Sequence, residues 1–143
     1  MKIIIFIIKV FAISLIISQI SHAQKNNYYE KGIAFFNKKE FDKSKLFFEK
    51  DIVFNPKNEI SYLYLSKIFK SLNKKKLQEK NLKTVILLDP KNEEAVFYLA
   101  ELKLDSSDYD KSRELNNKLI SICIDFCDKS KKLKIEIDNL SKK

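Results

Sequence analysis

Apolar side chains follow two different patterns along this 143-residue chain. Residues 3–20 are almost uninterruptedly apolar, whereas from residue 28 onward apolar residues recur three and four positions apart with polar residues between them. The second pattern is that of amphipathic helices, each burying one face. Polar stretches at 37–40, 73–76 and 105–108 interrupt it and predict turns between helices. One glycine and two prolines are too few for the tight turns of a β-rich fold, so the sequence predicts an all-α protein.

The helical pattern repeats with a period of 34 residues, because segment 55–59 (NPKNE) recurs as segment 89–93 (DPKNE). Proline ends one helix and asparagine can cap the next, so each copy predicts a turn between two helices. The period divides the chain into units 25–58, 59–92 and 93–126, each with two helical patterns around one polar turn. Such a hairpin cannot bury its apolar face alone, which predicts that the units stack.

Equivalent positions in the three units share their chemistry. One position is always small and predicts the close approach of two helices: Gly32, Ser66 and Ala100. Another is always apolar: Phe54, Leu88 and Ile122.

This arrangement resembles the tetratricopeptide repeat (TPR) family, whose pattern combines aromatic, small and closing proline positions. In the first unit the pattern is met by Tyr28, Gly32, Phe35, Phe41, Ser44, Phe48 and Pro56. In the second it is met by Tyr62, Leu65, Ser66, Phe69, Leu82 and Pro90, and in the third by Leu99, Ala100, Tyr109, Ser112 and Leu119. The chain departs from it at Lys31, Lys75, Gln78 and Lys103. The resemblance implies an α-solenoid of about three helix-turn-helix repeats over residues 24–126.

The resemblance also implies a function: a non-enzymatic scaffold that binds a peptide or protein segment in a concave groove lined by the first helix of each unit. On the family's geometry that groove holds Tyr29, Ile33, Phe36, Tyr64, Lys67, Lys70, Phe97, Tyr98 and Glu101. Where the family's best-known groove clamps a carboxylate with Lys and Asn, this chain has Tyr29, Ile33 and Tyr64, so an apolar or aromatic-bearing peptide fits better. The alternative function is a structural or assembly subunit of a cell-envelope complex.

The end of the chain, residues 127–143, is expected to form a capping helix with a basic outer face. Leu133, Ile137 and Leu140 keep the spacing of one helix face. The capping helix is expected to be continuous with the preceding helix or bent near residues 128–130, and to cover Ile120 and Ile124. A loose, solvated basic tail is the competing interpretation.

Residues 1–23 have the pattern of a secretory signal peptide. A basic start at Lys2 precedes a long apolar run, and the sequence Ser-His-Ala ends at Ala23, directly before Gln24. The mature protein is then expected to be periplasmic or secreted, with no membrane span. An uncleaved N-terminal membrane anchor is the alternative, since residues 3–20 are nearly long enough to cross a bilayer.

Charge and composition argue against nucleic acid as a partner. The chain carries +9, and removal of residues 1–23 takes away two of the 28 basic residues and none of the 19 acidic ones, leaving +7. Of the basic residues only Arg113 is an arginine, the residue that specific recognition of phosphates and base edges mostly uses. The lysines therefore indicate solvated faces, and the oligomeric state stays open.

Few residues suit catalysis, cofactors or metals, and none of these roles is expected. The single histidine, His22, lies in the leader, and Gly32 alone cannot form a phosphate-binding loop. Cys123 and Cys127 lie four positions apart, where pairing within one helix would strain a disulfide. They are expected to be two buried free thiols, with a disulfide or a bridge between two molecules as the alternatives.

Cleavage of the leader is expected between Ala23 and Gln24. The intact mass of the exported protein measures it directly. A membrane-bound species that still carries residues 1–23 would support the anchor instead.

Overall fold

The computed structural model describes residues 27–142, and within that range the chain forms helices and no strand. Seven helices follow one another: α1 (Tyr28–Asn37), α2 (Phe41–Phe54), α3 (Glu59–Ser71), α4 (Lys75–Leu88), α5 (Glu93–Leu104), α6 (Tyr109–Ile122) and α7 (Cys127–Leu140). The predicted all-α solenoid is confirmed. None of these helices is long and apolar enough to cross a membrane. The leader 1–23 and its cleavage site at Ala23 and Gln24 lie outside the described residues.

The helices pack in chain order. α1 and α2, α3 and α4, and α5 and α6 form hairpins, while α2 packs on α3, α4 on α5 and α6 on α7. Each hairpin turn contains one residue in the left-handed region, and these residues recur every 34 positions: Lys39, Asn73 and Ser107, with φ of 60°, 53° and 59°. The backbone therefore makes the same turn in every unit, whichever side chain stands there.

Within each hairpin the two helices approach closely at the small position, as predicted, since Gly32, Ser66 and Ala100 are all buried. The Ser44 hydroxyl on α2 donates a hydrogen bond to the Gly32 carbonyl on α1 (2.8 Å). The third hairpin has the same bond, because the Ser112 hydroxyl on α6 donates a hydrogen bond to the Ala100 carbonyl on α5 (2.8 Å). In the middle unit the buried Gln78 takes the serine's place.

The joint between the first two hairpins is polar. Asp51 on α2 is buried and accepts hydrogen bonds from Asn55 (2.9 Å), Asn58 (2.6 Å) and Ser61 (2.6 Å). One repeat later, the positions of Asp51 and Ser61 hold the buried residues Val85 and Ala95. At these two positions the second joint is therefore apolar, although an ion pair between Glu79 on α4 and Lys103 on α5 (2.8 Å) also crosses it.

The residues of the apolar column Phe54, Leu88 and Ile122 are not equally buried. Phe54 is 58% exposed and Leu88 is also exposed, whereas Ile122 is half-buried and packs against the core. Each of these residues is the last of its helix.

The chain breaks before α7, and earlier than predicted. α6 ends at Ile122 and α7 begins at Cys127, so the last helix is neither continuous nor bent near residues 128–130. The Glu93 carboxylate on α5 holds the intervening turn, accepting hydrogen bonds from the backbone N–H groups of Ile124 (2.8 Å), Asp125 (3.0 Å) and Phe126 (2.8 Å). These amides precede a helix and have no carbonyl partner within it, so the carboxylate satisfies them.

Cys123 and Cys127 form a disulfide across this turn, so the expectation of two free thiols is wrong. The argument from strain assumed that both cysteines lie on one helix. Cys123 instead follows α6 in an extended conformation (φ −67°, ψ 140°), which brings its Cα to 5.2 Å from that of Cys127. That separation is within the usual range for a disulfide.

α7 caps the stack, and the alternative of a loose tail is wrong for residues 127–140. Leu133 and Ile137 are buried against Leu115 and Leu119 of α6. Ser130 and Asn116 bond reciprocally: the Asn116 amide donates to the Ser130 carbonyl (3.1 Å), and the Ser130 hydroxyl donates to the Asn116 side-chain oxygen (2.9 Å).

The expectation that α7 covers Ile120 and Ile124 is also wrong, because Ile124 is 84% exposed and Ile120 about half exposed. α7 packs on the face of α6 that carries Leu115 and Leu119, and Ile124 lies in the turn outside both helices.

Replacement of Gly32 by alanine is expected to destabilise the first hairpin. The added Cβ would lie 2.7 Å from the Phe48 ring, and Phe48 is fully buried. Overpacking costs about 1–3 kcal/mol, which exceeds the gain of about 1 kcal/mol from removing glycine from a helix. Thermal melting should show a lower midpoint for Gly32→Ala and a partial recovery in Gly32→Ala/Phe48→Leu. An unchanged midpoint for the single variant would contradict the close approach.

The turn before α7, which the Glu93 carboxylate holds, is expected to become less stable in acid. Desolvation alone would raise the pKa of Glu93, but hydrogen bonds from the amides of Phe126, Ile124 and Asp125 lower it below its usual 4.5. A lowered pKa stabilises the fold above pH 4.5, and that contribution is lost as the pH falls through the pKa of the folded state. The wild type should therefore melt above Glu93→Gln at neutral pH, with the difference shrinking below pH 4.5. Glu59→Gln, one repeat earlier, is the matched control, and an equal effect there would contradict the assignment.

Candidate functional site

The nine predicted groove residues lie on α1, α3 and α5, the first helix of each hairpin, but they separate into two sets. Tyr29, Ile33, Phe36 and Tyr64 are half-buried and pack against the core cluster around Phe48. Rings meet at the joint between the first two hairpins, with centroids 4.9 Å apart for Phe36 and Tyr64 and 5.0 Å for Phe48 and Tyr64. These aromatic residues therefore hold the first two units together and leave little surface for a ligand.

Phe97 likewise belongs to the interior. It is buried, and its ring centroid lies 5.5 Å from that of Phe126 in the turn before α7. The Lys129 ammonium stands over both rings, 4.0 Å from the centroid of Phe126. Phe97 thus anchors the capping helix instead of lining a groove.

Lys67, Lys70, Tyr98 and Glu101 form the second set, at the surface between α3 and α5. The Lys67 ammonium contacts both carboxylate oxygens of Glu94 (2.9 and 3.0 Å), and the Lys70 ammonium lies 3.0 Å from the carboxylate of Glu101. Glu94 was not among the predicted groove residues, although it lies on α5 opposite Lys67, which was. Half-exposed pairs of this kind contribute little to stability, since water screens them.

Tyr98 lies between these charges. The Lys70 ammonium stands 4.7 Å from the centroid of its ring, within the range of a cation–π interaction. Burial raises the pKa of Tyr98, and the nearby charges of Glu94 and Glu101 raise it further. The phenol is therefore a neutral hydrogen-bonding group at physiological pH. On α1, burial also raises the pKa of Tyr29, and Coulombic interactions with Tyr64, Asp51 and Glu59 raise it further.

A pocket of about 220 Å³ opens beside Tyr98, between the second and third hairpins. We refer to it as the α3–α5 pocket; its walls are Lys70, Asn73, Lys75, Gln78, Tyr98, Glu101, Leu102 and Asp105. Three of these were predicted groove residues. The other five were missed, because Asn73 and Asp105 lie in hairpin turns, Lys75 and Gln78 lie on α4, and Leu102 lies outside the face of α5 that the family geometry assigns. The pocket offers ammonium and amide donors opposite carboxylate acceptors, with one aromatic ring. That combination suits the backbone and side chains of a peptide.

Residues 27–142 contain no group of three histidine, cysteine, aspartate or glutamate side chains placed to hold a metal ion. The surface between α3 and α5 is built from paired charges, an aromatic ring and amides. Groups of this kind can bind a ligand through hydrogen bonds and van der Waals contacts.

Comparison with known proteins finds no matching family model and no matching curated protein. Solved structures, in contrast, match the fold over most of the chain. One is the Yersinia enterocolitica type III secretion chaperone SycD in complex with a peptide of the translocator YopD, with a TM-score of 0.74 and 14% identity, covering 87% of this chain and 98% of that one.

Two further neighbours are eukaryotic. The TPR2B domain of yeast Sti1, in complex with pHsp70, has a TM-score of 0.73 and 13% identity, covering 80% of this chain and 95% of that one. The TPR domain of Arabidopsis OM64 has a TM-score of 0.68 and 21% identity, covering 80% and 92%. Identities this low establish the fold alone. The 34-residue period, the repeated hairpin turns and these neighbours show that the chain has the fold of tetratricopeptide-repeat domains.

Proposed function

We propose that this protein is a non-enzymatic interaction scaffold that binds a peptide or protein segment at the surface between α3 and α5. The observation that carries the proposal is the α3–α5 pocket, where Tyr98 and the Lys70–Glu101 pair of two adjacent hairpins meet. The complexes of SycD with a YopD peptide and of the Sti1 domain with pHsp70 support binding of protein segments by this fold. Because the aromatic residues of α1 are engaged in the joint, the ligand contacts the second and third units.

The chemistry of the pocket limits which ligands can bind there. Lys67 and Lys70 are already paired with Glu94 and Glu101, so a carboxylate tail would have to displace an existing partner. A segment that stacks an apolar or aromatic side chain on Tyr98 and bonds its backbone to the flanking amides retains both pairs. Nucleic acid remains disfavoured for the same reason, because Lys67 and Lys70 are already paired with carboxylates.

We also propose that the mature chain acts outside the cytoplasm, in the periplasm or as a secreted protein. The leader pattern at residues 1–23 supports export. The disulfide between Cys123 and Cys127 supports it independently, because disulfides persist in oxidising compartments and are rare in the cytosol.

Peptides selected from a display library on the wild-type chain are expected to lose affinity about tenfold or more for Lys70→Ala and for Tyr98→Ala. Each change removes a wall of the α3–α5 pocket. Titration calorimetry with a selected peptide measures the loss.

Lys83→Ala is the matched control, because Lys83 is also a surface lysine paired with a glutamate, Glu79, but lies outside the pocket. It should bind the peptide as tightly as the wild type. Equal binding by all variants would contradict a site between α3 and α5. A stable multi-protein complex isolated from an envelope fraction, without any selected peptide, would favour the alternative of an assembly subunit.

A further inference from the structure

A buried side chain in the wall of the α3–α5 pocket has no partner in the protein. Gln78 on α4 is only 5% exposed and lines the pocket, yet its side-chain amide forms no hydrogen bond within residues 27–142. In that range no side-chain oxygen or nitrogen is both enclosed and without a partner, so the amide must open into the pocket. Buried polar groups are normally hydrogen-bonded, which leaves this amide available to a ligand.

The repeat shows how unusual this residue is. Gln78 stands 34 residues after Ser44 and 34 before Ser112, and both serines donate a hydrogen bond to a carbonyl of the paired helix. Glutamine is longer than serine, and its amide carries both donors and an acceptor. The middle unit therefore replaces a bond within the hairpin with a group that reaches the pocket and can bind the N–H and the C=O of a peptide.

The α3–α5 pocket continues into a second cavity at the turn before α4. This cavity, which we name the turn cleft, has a volume of about 510 Å³ and is lined by Asn73, Lys74, Lys75, Lys76 and Leu77. Asn73 and Lys75 also line the α3–α5 pocket. A single ligand can therefore occupy both cavities.

The walls of the two cavities are basic. Together they hold four lysines and two carboxylates, and one of those carboxylates, Glu101, is paired with Lys70. That leaves Asp105 beside the three exposed lysines of the turn cleft, which form no ion pair within the described part of the chain. The acidic residues Glu79 and Asp108 of adjacent segments are paired with other lysines. The turn cleft thus attracts an anionic group.

The charge at this turn is the reverse of that in the other two hairpins. Lys74 is the residue before α4, and Lys76 lies in its first turn. In the outer units the same two positions are acidic: Glu40, Asp42, Asp108 and Asp110. Acidic side chains stabilise the start of a helix and lysines oppose it, because the N–H groups there carry partial positive charge. The two lysines therefore need a reason other than the stability of α4.

This combination of groups favours an acidic peptide over a nucleic acid or an inorganic anion. The amide of Gln78 and the ring of Tyr98 match a main chain and an apolar side chain, which an inorganic anion lacks. A phosphate backbone would place its repeated charges beside Glu101 and Asp105, which repel them. A peptide can present one carboxylate to the turn cleft and N–H groups to these acidic residues.

We propose that the ligand of the α3–α5 pocket is an acidic peptide segment. Its apolar or aromatic side chain lies on Tyr98, its main chain binds the amide of Gln78, and an adjacent aspartate or glutamate reaches Lys74 and Lys76 in the turn cleft. This inference rests on the proposed function, because it specifies the ligand of the same pocket. The carboxylate leaves the existing ion pairs between α3 and α5 intact.

Two peptide display libraries test the proposal on the exported chain, with its N-terminus established by intact mass. One library contains all amino acids, and the other is identical but lacks aspartate and glutamate. Peptides selected from the first should carry an acidic residue beside an apolar or aromatic one. The best peptide from the second should bind at least about tenfold more weakly in titration calorimetry. Raising the salt concentration should weaken the acidic peptides selectively.

Lys74→Gln/Lys76→Gln is expected to weaken the binding of a selected acidic peptide about tenfold. The same peptide with its acidic residues changed to amides should bind this variant and the wild type equally. Lys80→Gln/Lys91→Gln is the matched control, because these lysines are also exposed and unpaired within residues 27–142 but lie outside both cavities. All four lysines are on the surface, and unchanged melting midpoints verify that both variants are folded.

Gln78→Met tests the buried amide separately. Methionine keeps the length of the side chain and removes both kinds of hydrogen bond, so affinity should fall about tenfold for the acidic peptide and for its amide form alike. Gln78→Ser is a second variant that restores the residue of the outer units, and it should lose affinity in the same way.

The outcomes separate this inference from the proposed function. Loss of affinity in Tyr98→Ala, with wild-type binding by Lys74→Gln/Lys76→Gln or by both Gln78 variants, would overturn the acidic ligand and retain the pocket. Equally tight peptides from the library without acidic residues would overturn it too. So would a single-stranded oligonucleotide that binds through Lys74 and Lys76 more tightly than any selected peptide. Selected peptides that are indifferent to Tyr98→Ala and Lys70→Ala would instead overturn the proposed function.

Discussion

The close approach of two helices within each hairpin is the constraint on which the array depends. In the first hairpin Gly32 allows the Phe48 ring to lie against the backbone of α1, and Ser44 bonds to the Gly32 carbonyl at the same crossing. That crossing fixes how far α1 and α2 diverge, and therefore which residues of α1 face the next hairpin. Because the second and third units keep a small residue at the same place, the stacking geometry is propagated along the chain.

The sequence predicts the fold well because the repeat imposes a register, and the same register extends further than the three units. Leu65, Leu99 and Leu133 stand 34 residues apart and are all buried, each in a helix that follows a turn between units. α7 therefore has the position of the first helix of a fourth unit. The place of Leu133 in the 34-residue register could therefore have located the helix break before Cys127. No third proline marks that break in the sequence.

The errors have a common physical origin, because a helical period describes which residues share a face but not where the helix ends. Cys123 and Cys127 were judged as members of one helix, and the extended backbone at Cys123 changes their distance. The aromatic residues of α1 share a face with the groove, and only the packing shows that Tyr64 reaches across to Phe36 and removes them from the surface. Contacts between side chains 27 and 31 residues apart, such as Lys67 with Glu94 and Lys70 with Glu101, depend on the curvature of the stack and have no local signature.

The buried carboxylate of Asp51 has a consequence for assembly errors. Hairpins of similar shape can in principle stack in the wrong order or on a hairpin of another molecule, which would lead to swapped dimers or growing filaments. Asp51 accepts hydrogen bonds from Asn55 and Asn58, which follow it directly in the chain, and from Ser61 on α3, whereas α5 has Ala95 in place of that serine. Stacking of α5 on α2 in place of α3 would leave the buried carboxylate without this donor, which is more costly than a poor apolar contact. The first joint therefore discriminates between α3 and α5 as the neighbour of α2, which favours the order of the hairpins along the chain.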